Sequence, residues 1–230
     1  MKFCKICVQP NTRPNSYFNS KGICPACDYN FKIKKIDWNK RLNLLKIIAD
    51  KYKKKNYSSF DNYDCIIGVS GGKDSTRQAL FIRDKLKLNP LLVSLTHPPQ
   101  TVSEIGVDNL SNLINLGFTV IVSGTSPRTW QRLMRYGFLN DLNYRISTEF
   151  ALFSSVPRLA ANYGIKLIFW GENPGLQLGD MKSKKHRGYD GNNLRYMNTI
   201  SGGDRWLNKT GISKKKLYPY YYPNPDEFKK

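Results

Sequence analysis

Apolar positions along this chain recur with two periods, and the switching between them sets out the elements. From Ile36 to Tyr52 they return at helical spacing (Leu42, Leu44, Leu45, Ile47, Ile48) behind Asp37, a residue suited to capping a helix N-terminus. Tyr63 to Val69 is a short apolar run with β-branched residues that meets Ser70-Gly71-Gly72, and helical spacing resumes at Leu80, Phe81, Leu86 and Leu88. Asn89-Pro90 breaks that helix, and Leu91 to Leu95 reads as a second strand. Val102 to Leu116 is helical again and stops at Gly117, a favourable terminating residue. Thr119 to Ser123 is a third strand. Pro127 to Tyr136 and Ser147 to Tyr163 are helical, the latter with Pro157 as a kink, and Gly164 precedes a last strand from Lys166 to Trp170.

Strands that are apolar on both faces and separated by helices predict a parallel sheet covered on both sides, so the expected class is α/β. The pattern lapses in two places. Before Ile36 there is little apolar periodicity, with Pro10, Pro14 and Gly22 interrupting, so this stretch cannot build a hydrophobic core by itself. From Glu172 to Lys216, Gly, Asn, Lys and Asp dominate and long loops are expected. The ending Leu217-Tyr218-Pro219-Tyr220-Tyr221-Tyr222-Pro223-Asn224-Pro225 is aromatic and proline-rich, as in a segment that docks.

Composition narrows the class. Over 230 residues, 40% are apolar and 13% aromatic, too hydrophobic for a disordered chain and enough for a packed core. The longest apolar runs, Cys65 to Val69 and Ile165 to Trp170, fall far short of the roughly 20 residues of a membrane helix. Met1 to Cys7 has no apolar signal core, so a cytoplasmic, reducing setting is expected, with no membrane partner. Thirty-seven Lys and Arg against 17 Asp and Glu give a net charge of +20. The lysines are spread over Lys32 to Lys35, Lys53 to Lys55, Lys182 to Lys185 and Lys214 to Lys216, which reads as a solvated basic surface; a nucleotide satisfies it as well as RNA, and a nucleic-acid partner is not expected.

Four of the five cysteines form Cys4-x-x-Cys7, sixteen residues, then Cys24-x-x-Cys27. Each pair offers two thiolates from one tight turn, the spacing of a structural zinc site with no open coordination position. Disulfides are the alternative, disfavoured in a reducing compartment, and a sulfur-carrying or iron–sulfur role is another. Cys65 stands alone with no nearby His and reads as core rather than nucleophile.

Ser70-Gly71-Gly72-Lys73-Asp74-Ser75 lies where a parallel strand meets a helix N-terminus, where N–H groups and the helix dipole favour an anion. Two glycines let the backbone approach phosphates, Ser70 and Ser75 add hydroxyls, and Lys73 adds charge. Asp74 is wrong for phosphate alone but right for Mg2+ bridging to a nucleotide. The Walker A pattern is absent. The stretch instead resembles the PP-loop, SGG-x-D-S, of ATP pyrophosphatases, implying a Rossmann-like parallel sheet of the adenine nucleotide alpha hydrolase type. It also implies ATP cleavage between the α and β phosphates, with AMP placed on an otherwise unreactive oxygen. Ser94 to Thr96 then resembles the segment contacting adenine, and Gly171 falls at the nucleotide cleft.

Beyond the superfamily, Cys4-x-x-Cys7, Thr12-Arg13-Pro14, Gly22-Ile23-Cys24-x-x-Cys27, Ile36-Asp37-Trp38, Tyr63-Asp64-Cys65, the PP-loop, Glu104-Ile105-Gly106, Asn109-Leu110 and Trp170-Gly171-Glu172-Asn173, in this order, resemble the N-acetyl sugar amidotransferase family. That resemblance implies ATP-dependent conversion of an acetamido group into an acetamidino group in bacterial surface-glycan and nonulosonic-acid (pseudaminic and legionaminic acid) biosynthesis, with ammonia from a glutaminase partner. Lys73 and Asp74 would be catalytic; Ser70, Gly71, Gly72, Lys73, Asp74, Ser75, Ser94, Thr96, Gly171 and Glu172 would bind ATP and Mg2+; Cys4, Cys7, Cys24 and Cys27 would bind Zn2+. Family members continue beyond a segment like Leu217 to Pro223, so a shortened chain is expected. The expected layout is a zinc-binding ribbon (1–35), a linking helix (36–58), the PP-loop domain (59–216) and an aromatic tail (217–230).

Some readings stay two-sided. Glu172 and Asn173 suit a site or a helix cap; His97 is a loop residue or borders the nucleotide cleft; Lys182, Lys184, Lys185, His186 and Arg187 suit a solvated loop or a phosphate grip. The alternative function is a tRNA-thiolating PP-loop enzyme, against which counts the absence of any cysteine after Cys65. A zinc-ribbon RNA-binding module on a degenerate nucleotide fold is a third.

Overall fold

The structure is a computed structural model that describes residues 1–12, 16–55, 62–96, 102–171 and 203–228. It divides into two compact units, one built on Met1–Leu45 and the other on residues 46–171 with 203–228.

In the first unit a turn brings Phe3 opposite Pro10 in an antiparallel bridge, and the Cys4 N–H donates to the Gln9 carbonyl at 2.8 Å. Helix α1, Pro25–Ile33, follows. Apolar spacing did not announce it, because it is specified by its start: Cys24 is the N-cap, its sulfur accepts from the Cys27 N–H, and Pro25 takes the first helical position. Helix α2, Trp38–Tyr52, which the unit boundary after Leu45 divides, begins as its pattern predicts, with Asp37 Oδ1 accepting from the Lys40 N–H at 3.0 Å.

In the second unit β1 (Cys65–Gly68), β2 (Pro90–Thr96), β3 (Val120–Gly124) and β4 (Ile168–Phe169) form a parallel sheet in the order β3-β2-β1-β4. The α/β class read from the sequence is the class observed. Helix α3 (Lys73–Asp84) joins β1 to β2, α4 (Glu104–Asn115) precedes β3, and α5 (Pro127–Asp141) with α6 (Ile146–Asn162) carries the chain back to β4. The usual right-handed crossover would place α3 and α4 on one face and return the chain over the other. Arg83, at the end of α3, donates to the Leu116 carbonyl after α4 at 2.5 Å and lies over the Phe118 ring. On the opposite face Ile66, Leu91 and Val93 pack with Val156, Ala160 and Ile165.

Two expectations need correction. Helix α3 ends at Asp84, before Leu86 and Leu88; Lys87 adopts φ 56°, which turns the chain so that both leucines are buried beneath the sheet connection rather than along a helix face. The stretch expected to be loop contains α7, Gly203–Lys209, and a short α8, Lys214–Leu217. Trp206 anchors α7, packing on Tyr136 and Phe150 with ring centroids at 5.3 Å and donating to Asp141 Oδ2 at 2.7 Å. Two apolar residues were too few to show a period. The aromatic tail docks on α6: Ser154 Oγ donates to the Pro219 carbonyl, Arg158 donates to the Tyr221 carbonyl and pairs with Glu227 at 3.4 Å, and Tyr220 is buried.

No helix among the described residues is long and apolar enough to cross a membrane.

Candidate functional site

The site in the second unit is set by strand order. Connections from β1 run through β2 to β3 on one side, and β4 lies on the other, so the direction of winding reverses between β1 and β4. Open parallel sheets bind ligands at the carboxyl ends of the strands beside such a reversal. Register supplies the detail. Gly68 pairs with Val93, the Val69 N–H donates to the Val93 carbonyl at 2.8 Å, and Ile67 pairs with Phe169. Continuing both ladders brings Ser94 and Gly171 to either side of Val69, one residue before the glycine loop begins. Three segments far apart in sequence thus meet at one edge.

The loop is braced from within. Gly71 has φ +76°, and a Cβ there would stand 2.7 Å from the main-chain oxygen of Asn109 in α4. Only glycine fits that combination. The Gly72 N–H donates to Ser70 Oγ at 3.3 Å; Ser75 Oγ accepts from the Ser70 N–H at 3.4 Å and donates to the Gly72 carbonyl at 3.1 Å. Thr76 Oγ1 donates to the Gly71 carbonyl at 3.2 Å. Both serine hydroxyls thus also help to hold the loop's shape. Gly72 caps α3 without a side-chain acceptor, which leaves the first-turn N–H groups of the helix for an anion.

Lys73 and Asp74 stand on that first turn with side chains 89% and 88% exposed, and among the described residues they pair with each other at 3.2 Å. The donor set fits a nucleotide with its metal: bare N–H groups and an ammonium for phosphate oxygens, and an exposed carboxylate for a hard cation. Thr96 lies opposite Gly124 on β3, two residues beyond Ser94. Glu172, Asn173, His97 and the Lys182 to Arg187 cluster lie outside the described residues. Cys65 is the first residue of β1, at the opposite end of the strand from the loop, fully buried, with its thiol pushed up by burial.

Gln78 escaped the sequence reading. It lies one helical turn after Asp74, and its Oε1 is buried with no hydrogen-bond partner among the described residues. A Cβ on Gly171 would meet that oxygen at 3.5 Å. The signal was available in principle, since positions 74 and 78 share one face of a helix.

In the first unit the four Sγ atoms of Cys4, Cys7, Cys24 and Cys27 lie within 4.8 Å of one another, with Cys7 and Cys24 at 3.6 Å. A tetrahedral zinc with bonds of about 2.3 Å requires sulfurs roughly 3.8 Å apart, so the geometry fits a metal and is far from an S–S bond. N–H donors already point at sulfur, from Ile6 and Cys24 to Cys4 and from Cys27 to Cys24. Burial pushes the Cys4 thiol up, but the N–H groups of Cys7, Cys24 and Ile6 outweigh it and bring it to about 6. Burial and neighbouring sulfurs push Cys27 up to about 12, so four thiolates this close need a cation to coexist.

No protein-family model matches the chain. No curated protein matches it. Among solved structures, a predicted subunit of tRNA methyltransferase from Methanocaldococcus jannaschii is similar at 18% identity, covering 71% of this chain and 94% of that one with a TM-score of 0.32. The U34-tRNA thiolase NcsA from Methanococcus maripaludis, with its 4Fe-4S cluster, is similar at 15% identity, covering 98% of this chain and 76% of that one with a TM-score of 0.33. Scores of that size carry no argument about this chain's activity, which rests on its own geometry.

Proposed function

We propose that this chain is an ATP-using, AMP-forming enzyme of the PP-loop type that activates the acetamido oxygen of an N-acetylated sugar for replacement by ammonia. The observation that carries the ATP-using part is the glycine loop between β1 and α3, with its left-handed Gly71, uncapped helix start and exposed Asp74 at the carboxyl edge of the sheet. The sugar part rests on the ordered motifs shared with N-acetyl sugar amidotransferases.

An acetamido carbonyl resists amines because its oxygen is a poor leaving group. Attack by that oxygen on the α phosphorus expels pyrophosphate with the electrons of the broken P–O bond. Ammonia then bonds to the activated carbon, the C–O bond breaks, and AMP leaves with the oxygen and its electrons, one ammonia proton passing to water. The N–H groups of α3 and Lys73 would steady the phosphate charge that develops. Asp74 would hold Mg2+, which neutralises phosphate oxygens when bound. Cys4, Cys7, Cys24 and Cys27 would hold Zn2+, whose contribution is to folding. Ser94, Thr96, Gly171 and Glu172 would complete the nucleotide contacts. A glutaminase partner would supply the ammonia.

A second reading, ATP-dependent tRNA thiolation, draws on the net charge of +20, which suits a polyanion. It needs an accessible sulfur beside the adenylate. Cys65 is buried at the wrong end of β1, and the other four cysteines form the cluster of the first unit.

The deciding experiment supplies Mg-ATP and ammonium with either a panel of N-acetylated nucleotide-sugars and nonulosonic acids or unmodified tRNA. Sugar-dependent release of AMP and pyrophosphate, with product mass recording NH in place of oxygen, is expected, and Asp74→Ala should abolish it. AMP release with tRNA alone would transfer the assignment to thiolation.

A further inference from the structure

Buried acceptors without donors are rare in folded proteins, because the oxygen has left water and gained nothing in return. Gln78 Oε1 is such an acceptor, and its place is specific. It stands on α3 one turn beyond Asp74, against Gly171, at the β1/β4 reversal where the sheet presents its ligand-binding edge. No described residue donates to that oxygen.

What it lacks is a donor, which limits what it can receive. Phosphate oxygens at neutral pH are acceptors, so Gln78 does not belong to the phosphate cradle. Adenine brings N–H groups, but its proposed contacts, Ser94 and Thr96, lie on β2, across β1 from Gly171. Ribose and sugar hydroxyls also donate, but a ribose contact would move the KM for ATP and a sugar hydroxyl is not fixed at the reacting centre. The donors fixed there are its nitrogens: the N–H of the acetamido group and those of ammonia. Both must sit beside the α phosphate, and both present N–H outward while their other atoms react.

We propose that the Gln78 carboxamide is a substrate-contacting residue whose Oε1 accepts an N–H from the nitrogen at the reacting carbon. This rests on the acetamido-adenylating reading above. Gln78 takes no proton; it fixes the direction from which the nitrogen approaches. An acceptor kept unsatisfied in the free protein is a cost to the fold that the substrate removes, as expected of a site residue.

Gln78→Met keeps the length and removes the strong acceptor; Gln78→Glu keeps an acceptor oxygen at the same reach. Three quantities are measured: melting temperature, the KM for ATP in substrate-dependent ATP–pyrophosphate exchange without ammonia, and the KM values for acetamido substrate and ammonium in the full reaction. Q78M should melt at or above the wild-type temperature, keep its KM for ATP within about twofold, and lose at least about tenfold in kcat/KM for amidination, about 1.4 kcal/mol. Q78E should recover much of that loss. A rise confined to the ammonium KM assigns the donor to ammonia; a rise in acetamido-substrate KM that persists in exchange assigns it to the amide N–H. The proposal is overturned if amidination is unchanged in Q78M, if the KM for ATP rises in step, or if Q78M melts far below wild type and Q78E restores melting and turnover together. A wild-type chain that releases no AMP with any acetamido substrate fails earlier, at the parent reading, and takes this assignment with it.

Discussion

The main-chain oxygen of Asn109 occupies the space that a side chain on Gly71 would need, 2.7 Å from the position of its first carbon. Helix α4 therefore packs on the glycine loop backbone to backbone, and neither partner can give way by turning a rotamer. Gly71→Ala must also hold φ +76°, a conformation costing roughly 1–2 kcal/mol for a residue with a Cβ. ATP-dependent AMP release should fall by two orders of magnitude or more, with a melting point several degrees lower. An active, equally stable G71A would mean that α4 does not constrain the loop.

Asp64 is buried just ahead of β1 and accepts from two backbone donors, the Lys54 N–H at 2.7 Å and the Asn89 N–H at 2.6 Å. It ties the segment after α2 to the turn that feeds β2. Asp64→Ala strands both N–H groups, so a loss of roughly 2–4 kcal/mol in denaturant unfolding is expected. A loss under about 0.5 kcal/mol would show that water replaces the carboxylate.

The first unit should retain one zinc per chain, and Cys24→Ser should lose it. Chelation at neutral pH should raise hydrogen exchange throughout Met1–Leu45, because the sequence before Ile36 has too little apolar periodicity to build a core without the metal. Equal protection in metal-free protein would refute a folding role. Iron in place of zinc would redirect attention to the cluster as a redox or sulfur centre.

Glu149, half-buried near the start of α6, has its carboxyl pushed up by burial, with Arg145 offsetting part of the effect. A raised folded-state value means that the protonated form is favoured on folding. The contribution is fully present below the ordinary carboxylate range and is lost as pH rises through the folded value, leaving a buried charge at neutral pH. Glu149→Gln should therefore melt roughly 1–3 °C above wild type at pH 7, the gap closing towards pH 4. A gap independent of pH would assign the effect to packing.

The sheet was readable because Ile66, Ile67, Leu91, Leu92 and Val93 are buried on both faces and so leave unbroken apolar runs. The glycine loop was readable because its backbone demands fixed residue types in a row. Helix α7 was not, since its stability comes from Trp206 contacting Tyr136, some seventy residues earlier, and no local window contains both. Gln78 was hidden for a related reason: its neighbour Gly171 is distant in sequence, and an unsatisfied oxygen leaves no mark on composition. Hydroxyls beside glycines suggest Ser70 and Ser75 as phosphate contacts; that the turn's own backbone also engages them leaves no mark on composition.

The pairing of Ile66 with Ile168 closes a loop of about a hundred residues through a strand of two residues, with the Leu167 carbonyl accepting from the Ile66 N–H at 3.0 Å. Contacts so distant along the chain are late to form, since the entropy of closing the loop must be met before the contact contributes anything. The edge where the glycine loop, Gln78 and Gly171 meet is then the last part of the sheet to assemble during folding. A chain emerging from synthesis would be expected to hold β1, β2 and β3 in order before β4 completes that edge, and the segments that dock on α6 come later still.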